Sequence, residues 1–172
     1  MSLEELTSPT ARQDFIQLLD AEGNRVEHPD FRYTGTDDDL AASLRDMVLA
    51  RRIDAEATAL QRKGELGLWP PMLGQEAAQV GSAHAVGPLD EVVPSYREHG
   101  VAWCMGVDPL ELLGTFRGTS MVDWDSRAKR FHLYSFVIGT QTLHAVGMAM
   151  AMQRDGVVGN DKPDDNGAAI VY

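Results

Sequence analysis

Cysteine is almost absent. Cys104 stands alone in 172 residues, which excludes an internal disulfide framework and a cysteine-built zinc site and suits a reducing compartment. It sits among Val101, Ala102, Trp103 and Met105 and reads as a small buried hydrophobe rather than a nucleophile. Long apolar runs are missing, so no membrane span is expected. The N-terminus lacks the basic-then-apolar pattern of a secretion signal, and the chain reads as cytoplasmic. Positive charge is scarce: the net charge of -11 argues against nucleic acid and anionic membrane as partners. Gly-x-Gly-x-x-Gly, the Walker phosphate loop, His-Glu-x-x-His and Gly-x-Ser-x-Gly are all missing. No pair of histidines falls at metal-ligand spacing on one helix face. His84 and His144 lie in expected helices and read as structural. There is no internal repeat and no low-complexity tract.

What is present is a soluble globular composition, with 44% hydrophobic residues, in a chain long enough for one core. Residues 1–36 are polar apart from Phe15-Ile16-Gln17-Leu18-Leu19 and read as an extended N-terminal arm. Asp37, Asp38 and Asp39 supply an N-cap and first-turn acids. Leu40, Leu44, Met47, Val48, Arg51, Ala55, Ala59 and Leu60 then recur at helical spacing, and Gly64 stops a long helix. A loop over 65–73 holds Trp69-Pro70-Pro71, and 75–86 is a helix of small residues. Residues 90–93 predict a short strand. Asp108-Pro109 opens a helix running to about Arg117, with Pro at its first position. Residues 118–131 read as a mobile polar loop. Residues 143–153 form a small-residue helix, expected to be buried or at a subunit contact, and a strand begins at Ala168. The strand is met at the chain's end, which predicts that the sequence is part of a longer protein.

The richest chemistry lies in Pro94-Ser95-Tyr96-Arg97-Glu98-His99-Gly100. A phenol, a guanidinium, a carboxylate and an imidazole stand together at a strand-to-helix junction. An Arg fork and free helix N–H groups suit a phosphate. Two readings are open: a phosphate grip, or an exposed loop whose Arg97 and Glu98 face water. His99 is the histidine best placed for chemistry.

Three segments together carry a resemblance. They are Leu66-Gly67-Leu68-Trp69-Pro70-Pro71-Met72-Leu73-Gly74-Gln75-Glu76-Ala77-Ala78-Gln79-Val80-Gly81, the loop just quoted, and Val137-Ile138-Gly139-Thr140-Gln141-Thr142-Leu143-His144-Ala145-Val146-Gly147. In order and spacing the chain resembles the alpha subunit of the thiamine-diphosphate-dependent decarboxylating component of 2-oxoacid dehydrogenase complexes, of the pyruvate or branched-chain type. The resemblance covers roughly residues 15–172. It implies an α/β fold: part of a thiamine-diphosphate-binding domain over 37–172, a parallel sheet flanked by helices, preceded by the arm over 1–36.

The resemblance further implies that Tyr96 and Arg97 bind the diphosphate and that Phe136 and Ile138 lie beside the cofactor. Ile138 taken alone would equally suit an ordinary core position. Ser135, Val137, Thr140 and Gln141 match positions that hold a potassium ion in branched-chain relatives. His99 becomes a candidate for proton or acyl transfer. Leu68, Trp69 and Pro70 would line an apolar substrate pocket, and Pro70 replaces a substrate-facing His of the pyruvate type, which tilts the reading toward branched-chain 2-oxoacids. Phe136 replaces a Gly beside the cofactor. The implied partners are a beta subunit, in a tetramer of two alpha and two beta chains, and a lipoyl acyltransferase. The magnesium ligands of the family, in a Gly-Asp-Gly segment and an Asn further on, would follow a strand like 168–172, beyond this chain. The 172 residues alone are therefore expected to be inactive. A different reading, a non-catalytic helical module for subunit association, draws on the small-residue helices 75–86 and 143–153.

Overall fold

A computed structural model of the chain describes residues 16–121 and 124–172. The chain divides into two units, residues 1–40 and 41–172. In the first, the Asp20 carboxylate accepts hydrogen bonds from the Glu22 and Asn24 backbone N–H groups, at 3.0 and 2.7 Å, and from Asn24 Nδ2 at 2.9 Å. The bonds from Asn24 hold the Asp20 carboxyl below its ordinary pKa. Antiparallel bridges join Leu19 to Arg25 and His28 to Phe31. Over its described part the expected extended arm is therefore a run of local turns. Residues 1–15, including Phe15 of the expected apolar cluster, lie outside the described residues.

Helix α1 spans Asp37–Arg62, with three acids in its first turn and Arg62 in its last, both complementing the helix dipole. Its buried face is not the Leu–Val stripe expected from spacing. Leu44 and Val48 are 58% and 60% exposed, while Asp46, Ala50, Asp54 and Ala57 are buried. The two buried aspartates are tolerated because each accepts hydrogen bonds from indole or backbone N–H groups.

The remaining elements are α2 (Glu76–His84), β1 (Glu91–Val93), α3 (His99–Cys104), α4 (Pro109–Arg117), α5 (Ser126–Lys129), α6 (Thr140–Arg154), a 3-10 turn (Pro163–Asp165) and β2 (Ala169–Val171). Helix α4 has the anticipated cap: Asp108 accepts from Leu110 N–H at 2.8 Å and Glu111 accepts from Asp108 N–H at 3.1 Å. Strands β1 and β2 are parallel, in the register Glu91–Ala169, Val92–Ile170 and Val93–Val171. Phe131 joins β1 from another direction, with His132 N–H donating to Val92 O at 2.9 Å. The mixed helical and parallel-strand pattern is that of an α/β chain.

Two expectations change. Residues 118–131 are not simply a mobile polar loop. They contain α5, and Trp124 and Phe131 are buried, with Trp124 Nε1 donating to Phe131 O at 2.9 Å; Val122 and Asp123 lie outside the described residues. Helix α6 starts three positions earlier than the apolar pattern, at Thr140, because Gly139 takes a left-handed φ of 90° that turns the chain into it. Only Gln141, Ala145 and Met152 of α6 are buried; Leu143, Val146 and Met150 are 75%, 58% and 54% exposed.

The core gathers Trp69, Val92, Val101, Leu112, Phe116, Trp124, Phe131 and Tyr134. Each such side chain contributes about 1.5–3 kcal/mol on leaving water. Phe116 and Tyr134 meet at 5.6 Å, and Trp124 and Tyr134 edge-to-face at 5.9 Å. This aromatic cluster is the floor on which the polar loop after β1 rests.

Candidate functional site

Residues 94–100 leave β1 through the buried Pro94 and enter α3 at His99. Glu98 does not face water. It is 7% exposed, and its carboxylate accepts from Ser95 Oγ at 3.0 Å and from Arg97 N–H at 3.1 Å. The loop thereby binds itself into one shape. From α2, the buried Gln79 donates through Nε2 to Arg97 O at 3.1 Å and accepts at Oε1 from Gly100 N–H at 2.9 Å. One amide thus satisfies a backbone acceptor and a backbone donor on either side of His99. Gly100 suits this close approach: a Cβ there would meet Gln79 Oε1 and Met72 Cε, each at 3.1 Å.

His99 is 2% exposed and stacks on Trp69, with centroids 4.0 Å apart and planes 18° from parallel. Its Nε2 lies 3.0 Å from Pro70 O and its Nδ1 3.0 Å from the Tyr134 hydroxyl. A carbonyl only accepts, so Nε2 carries the hydrogen. The neutral ring then accepts at Nδ1, and Tyr134 is the donor. Burial lowers the His99 pKa to about 4, and burial likewise raises that of Tyr134, so both groups hold these forms near neutral pH. In this arrangement His99 is enclosed by protein, and its two ring nitrogens are both engaged.

Trp69 is held from its other side. Its Nε1 donates to Asp54 Oδ1 at 2.9 Å, and the same oxygen accepts from Met72 N–H at 2.9 Å. Of the three residues read as a substrate pocket, Trp69 and Pro70 are buried in this brace and Leu68 is 49% exposed. Glu76 continues the support, accepting from Arg51 Nε at 2.8 Å and Gly74 N–H at 3.0 Å. The Arg51 hydrogen bond holds its carboxyl below the usual range.

On this brace stand the exposed groups. Arg97 is half-buried; its guanidinium donates to Pro71 O and lies 5.5 Å from the centroid of the Tyr96 ring. Ser135 N–H donates to Ser95 O at 2.6 Å, which draws residues 134–138 against the loop. Phe136 contacts the Phe116 edge at 5.6 Å and is 48% exposed. Val137 and Ile138 are 72% and 79% exposed, so Ile138 is not an ordinary core residue. Gln141 is buried: its Nε2 donates to Tyr172 O at 2.8 Å, and its Oε1 has no hydrogen-bond partner among the described residues.

The structure therefore brings together segments 69–72, 94–100 and 134–135. Residues that sequence reasoning missed are Asp54, Gln79 and Tyr134, and it missed the burial of Glu98. A polar side chain among the small residues of α2 was the available signal for Gln79; Asp54 stands in a charge-rich helix and carried none.

Geometry defines a class: a mixed α/β protein presenting an Arg–Tyr pair on a braced loop at the end of a parallel strand. Comparison with known proteins narrows it. The pattern of the family described as the dehydrogenase E1 component matches residues 44–164. A 3-methyl-2-oxobutanoate dehydrogenase subunit alpha from Mycobacterium tuberculosis is 40% identical over 139 residues, covering 81% of this chain and 38% of that protein. A pyruvate dehydrogenase E1 component subunit alpha from Staphylococcus aureus is 28% identical over 178 residues, covering 99% of this chain and 44% of that protein. The chain belongs to the dehydrogenase E1 component family. It spans less than half the length of these curated relatives. Among the described residues no helix is long and apolar enough to cross a membrane.

Proposed function

We propose that the chain is the cofactor-gripping part of the alpha subunit of a thiamine-diphosphate-dependent 2-oxoacid dehydrogenase, with a branched-chain 2-oxoacid as its substrate class. The observation that carries this reading is Arg97 and Tyr96 held on a loop whose shape is enforced by Glu98, Gln79 and His99. A permanently charged guanidinium and a phenol on a stiff loop suit a diphosphate. Thiamine diphosphate, when bound, supplies the chemistry that releases carbon dioxide from a 2-oxoacid. This chain's residues bind and orient: Arg97 and Tyr96 take the anionic end, and Phe136 and Ile138 offer exposed apolar surface to the rings. His99 acts as a positioning residue, since it is enclosed and fixes the loop to residues 69–72. The fold is read as part of a thiamine-diphosphate-binding domain, with magnesium held by residues that the family resemblance assigns beyond 172.

A potassium ion fits the third segment. Gln141 Oε1 is a buried carbonyl oxygen lacking a partner among the described residues, and a hard cation takes oxygen donors. Ser135, Val137 and Thr140 complete the candidate set; Val137 O already accepts from Thr140 N–H at 3.1 Å and keeps a second lone pair. The exposed Leu143, Val146 and Met150 of α6 support assembly with a beta subunit. The acyl product would pass to a lipoyl acyltransferase. The branched-chain choice rests on the higher identity to the 3-methyl-2-oxobutanoate dehydrogenase subunit.

The test is turnover by the complete alpha subunit carrying this chain, assembled with its beta subunit. We expect higher kcat/KM for 3-methyl-2-oxobutanoate than for pyruvate. Replacing Arg97 with Ala should raise the thiamine diphosphate concentration for half-saturation by about ten- to a hundredfold, since a hydrogen bond to a charged group contributes roughly 1.5–3 kcal/mol. Unchanged half-saturation would refute the Arg97 role, and a preference for pyruvate would refute the substrate choice.

A further inference from the structure

Two turns N-terminal to Asp54 on the buried face of α1, three different metal-ligating side chains converge. Asp46 of α1, His84 at the end of α2 and Cys104 at the end of α3 place one ligand atom each within 4.8 Å of one another. We infer that these three residues form a binding site for a divalent transition cation of the zinc type, bridging α1, α2 and α3.

The donor set is one thiolate, one imidazole and one carboxylate, which suits zinc or cobalt and disfavours calcium or magnesium. Three protein ligands leave a fourth position for water. Tetrahedral geometry at bond lengths of ~2.0–2.3 Å puts ligand atoms ~3.3–3.8 Å apart, so the widest separation must close by at most about an ångström. His84 is exposed and supplies both that movement and an entry path.

The surrounding contacts orient the ligands. Ser43 Oγ lies 3.0 Å from His84 Nδ1, which leaves Nε2 turned to Asp46 Oδ2 at 2.9 Å. Trp103 Nε1 donates to Asp46 Oδ1 at 3.2 Å, and Arg45 Nε lies 3.8 Å from that same oxygen. Asp46 is therefore fixed through one oxygen while the other meets His84. Such outer contacts on a His and a carboxylate are the usual companions of a metal site. Burial pushes the Cys104 thiol up to about 12, so the thiol is protonated without metal and releases one proton as the sulfur–metal bond forms.

Because the donors come from three separate helices, no motif spacing announces them, and a lone cysteine in the sequence argued the other way. The site is independent of the cofactor reading.

The test is titration of the reduced full chain with cobalt(II). We expect a thiolate-to-cobalt charge-transfer band that saturates at one equivalent and is abolished by zinc, together with a metal-dependent rise in Tm. Cys104→Ser should abolish the band, and His84→Asn and Asp46→Asn should each weaken binding by ~100-fold or more, with Ser43→Ala costing about tenfold. A missing band overturns the proposal. So does a band whose affinity is unchanged in His84→Asn, which would be the signature of a solitary thiol. Should Asp46→Asn not fold, the exposed His84 variant carries the decision.

Discussion

His99 allows the brace to be tested through pH. The ring is neutral in the folded protein because burial lowers its pKa to about 4, against about 6.5 in an unfolded chain. Between those values the unfolded state binds a proton that the folded state refuses. Folding stability therefore rises with pH across that window, and the contribution is fully present above about 6.5 and lost progressively as pH falls toward 4. The slope from one group is about 1.4 kcal/mol per pH unit, so His99 should remove roughly 2 kcal/mol of stability between pH 6.5 and 5. The perturbation is His99→Phe, which keeps a ring stacked on Trp69 and deletes the titration. It also strands Pro70 O and the Tyr134 hydroxyl, which at ~1–3 kcal/mol per buried unpaired group lowers stability at pH 7. The assay is urea unfolding of both proteins at several pH values from 5 to 7.5. The variant should be less stable at pH 7 yet flatter, its curve converging on the wild type as pH falls. Parallel curves would refute the assignment, because they would mean that His99 is charged or exposed in the native state.

Two further outcomes follow from the same brace. Asp54→Ala leaves the buried Trp69 Nε1 and Met72 N–H without their shared acceptor; at ~1–3 kcal/mol for each unpaired donor, denaturant titration should show a loss of roughly 2–6 kcal/mol. Gly100→Ala sets a methyl 3.1 Å from both Gln79 Oε1 and Met72 Cε, so stability should fall by about 1–3 kcal/mol, read as a shift in urea midpoint at unchanged m-value.

Elements whose ends are written in local chemistry were legible. The first-turn acids and Gly64 bracket α1, and Asp108, Pro109 and Glu111 cap α4 in the expected place. Local signals placed a helix after the loop at 94–100 but not the bounds of α3, which is six residues long and begins at His99 inside that loop. Nor did they reveal which face of α1 is buried, since the apolar stripe Leu44–Val48 is exposed and an Asp–Ala face turns inward. Trp124 and Phe131 were hidden in a charged stretch for the same reason: burial is decided by partners distant in the chain.

The sequence by itself determined the family, through three ordered segments, and singled out the loop carrying Tyr96 and Arg97. The ends of α1 and α4 were also contained in it, because caps, dipoles and apolar runs act over a few residues. Only the tertiary structure decided what holds Arg97 in place. Gln79 and Tyr134 reach the loop from positions 18 and 37 residues away from Arg97, and Asp54, 43 residues away, holds Trp69 against His99; only packing brings their hydrogen-bonding atoms within 3 Å or so of their partners. The protonation of His99 belongs to the same level. An imidazole at this point in the sequence looks titratable, and it is the enclosing Trp69, Tyr134 and Pro70 that keep it neutral by denying its charge to water.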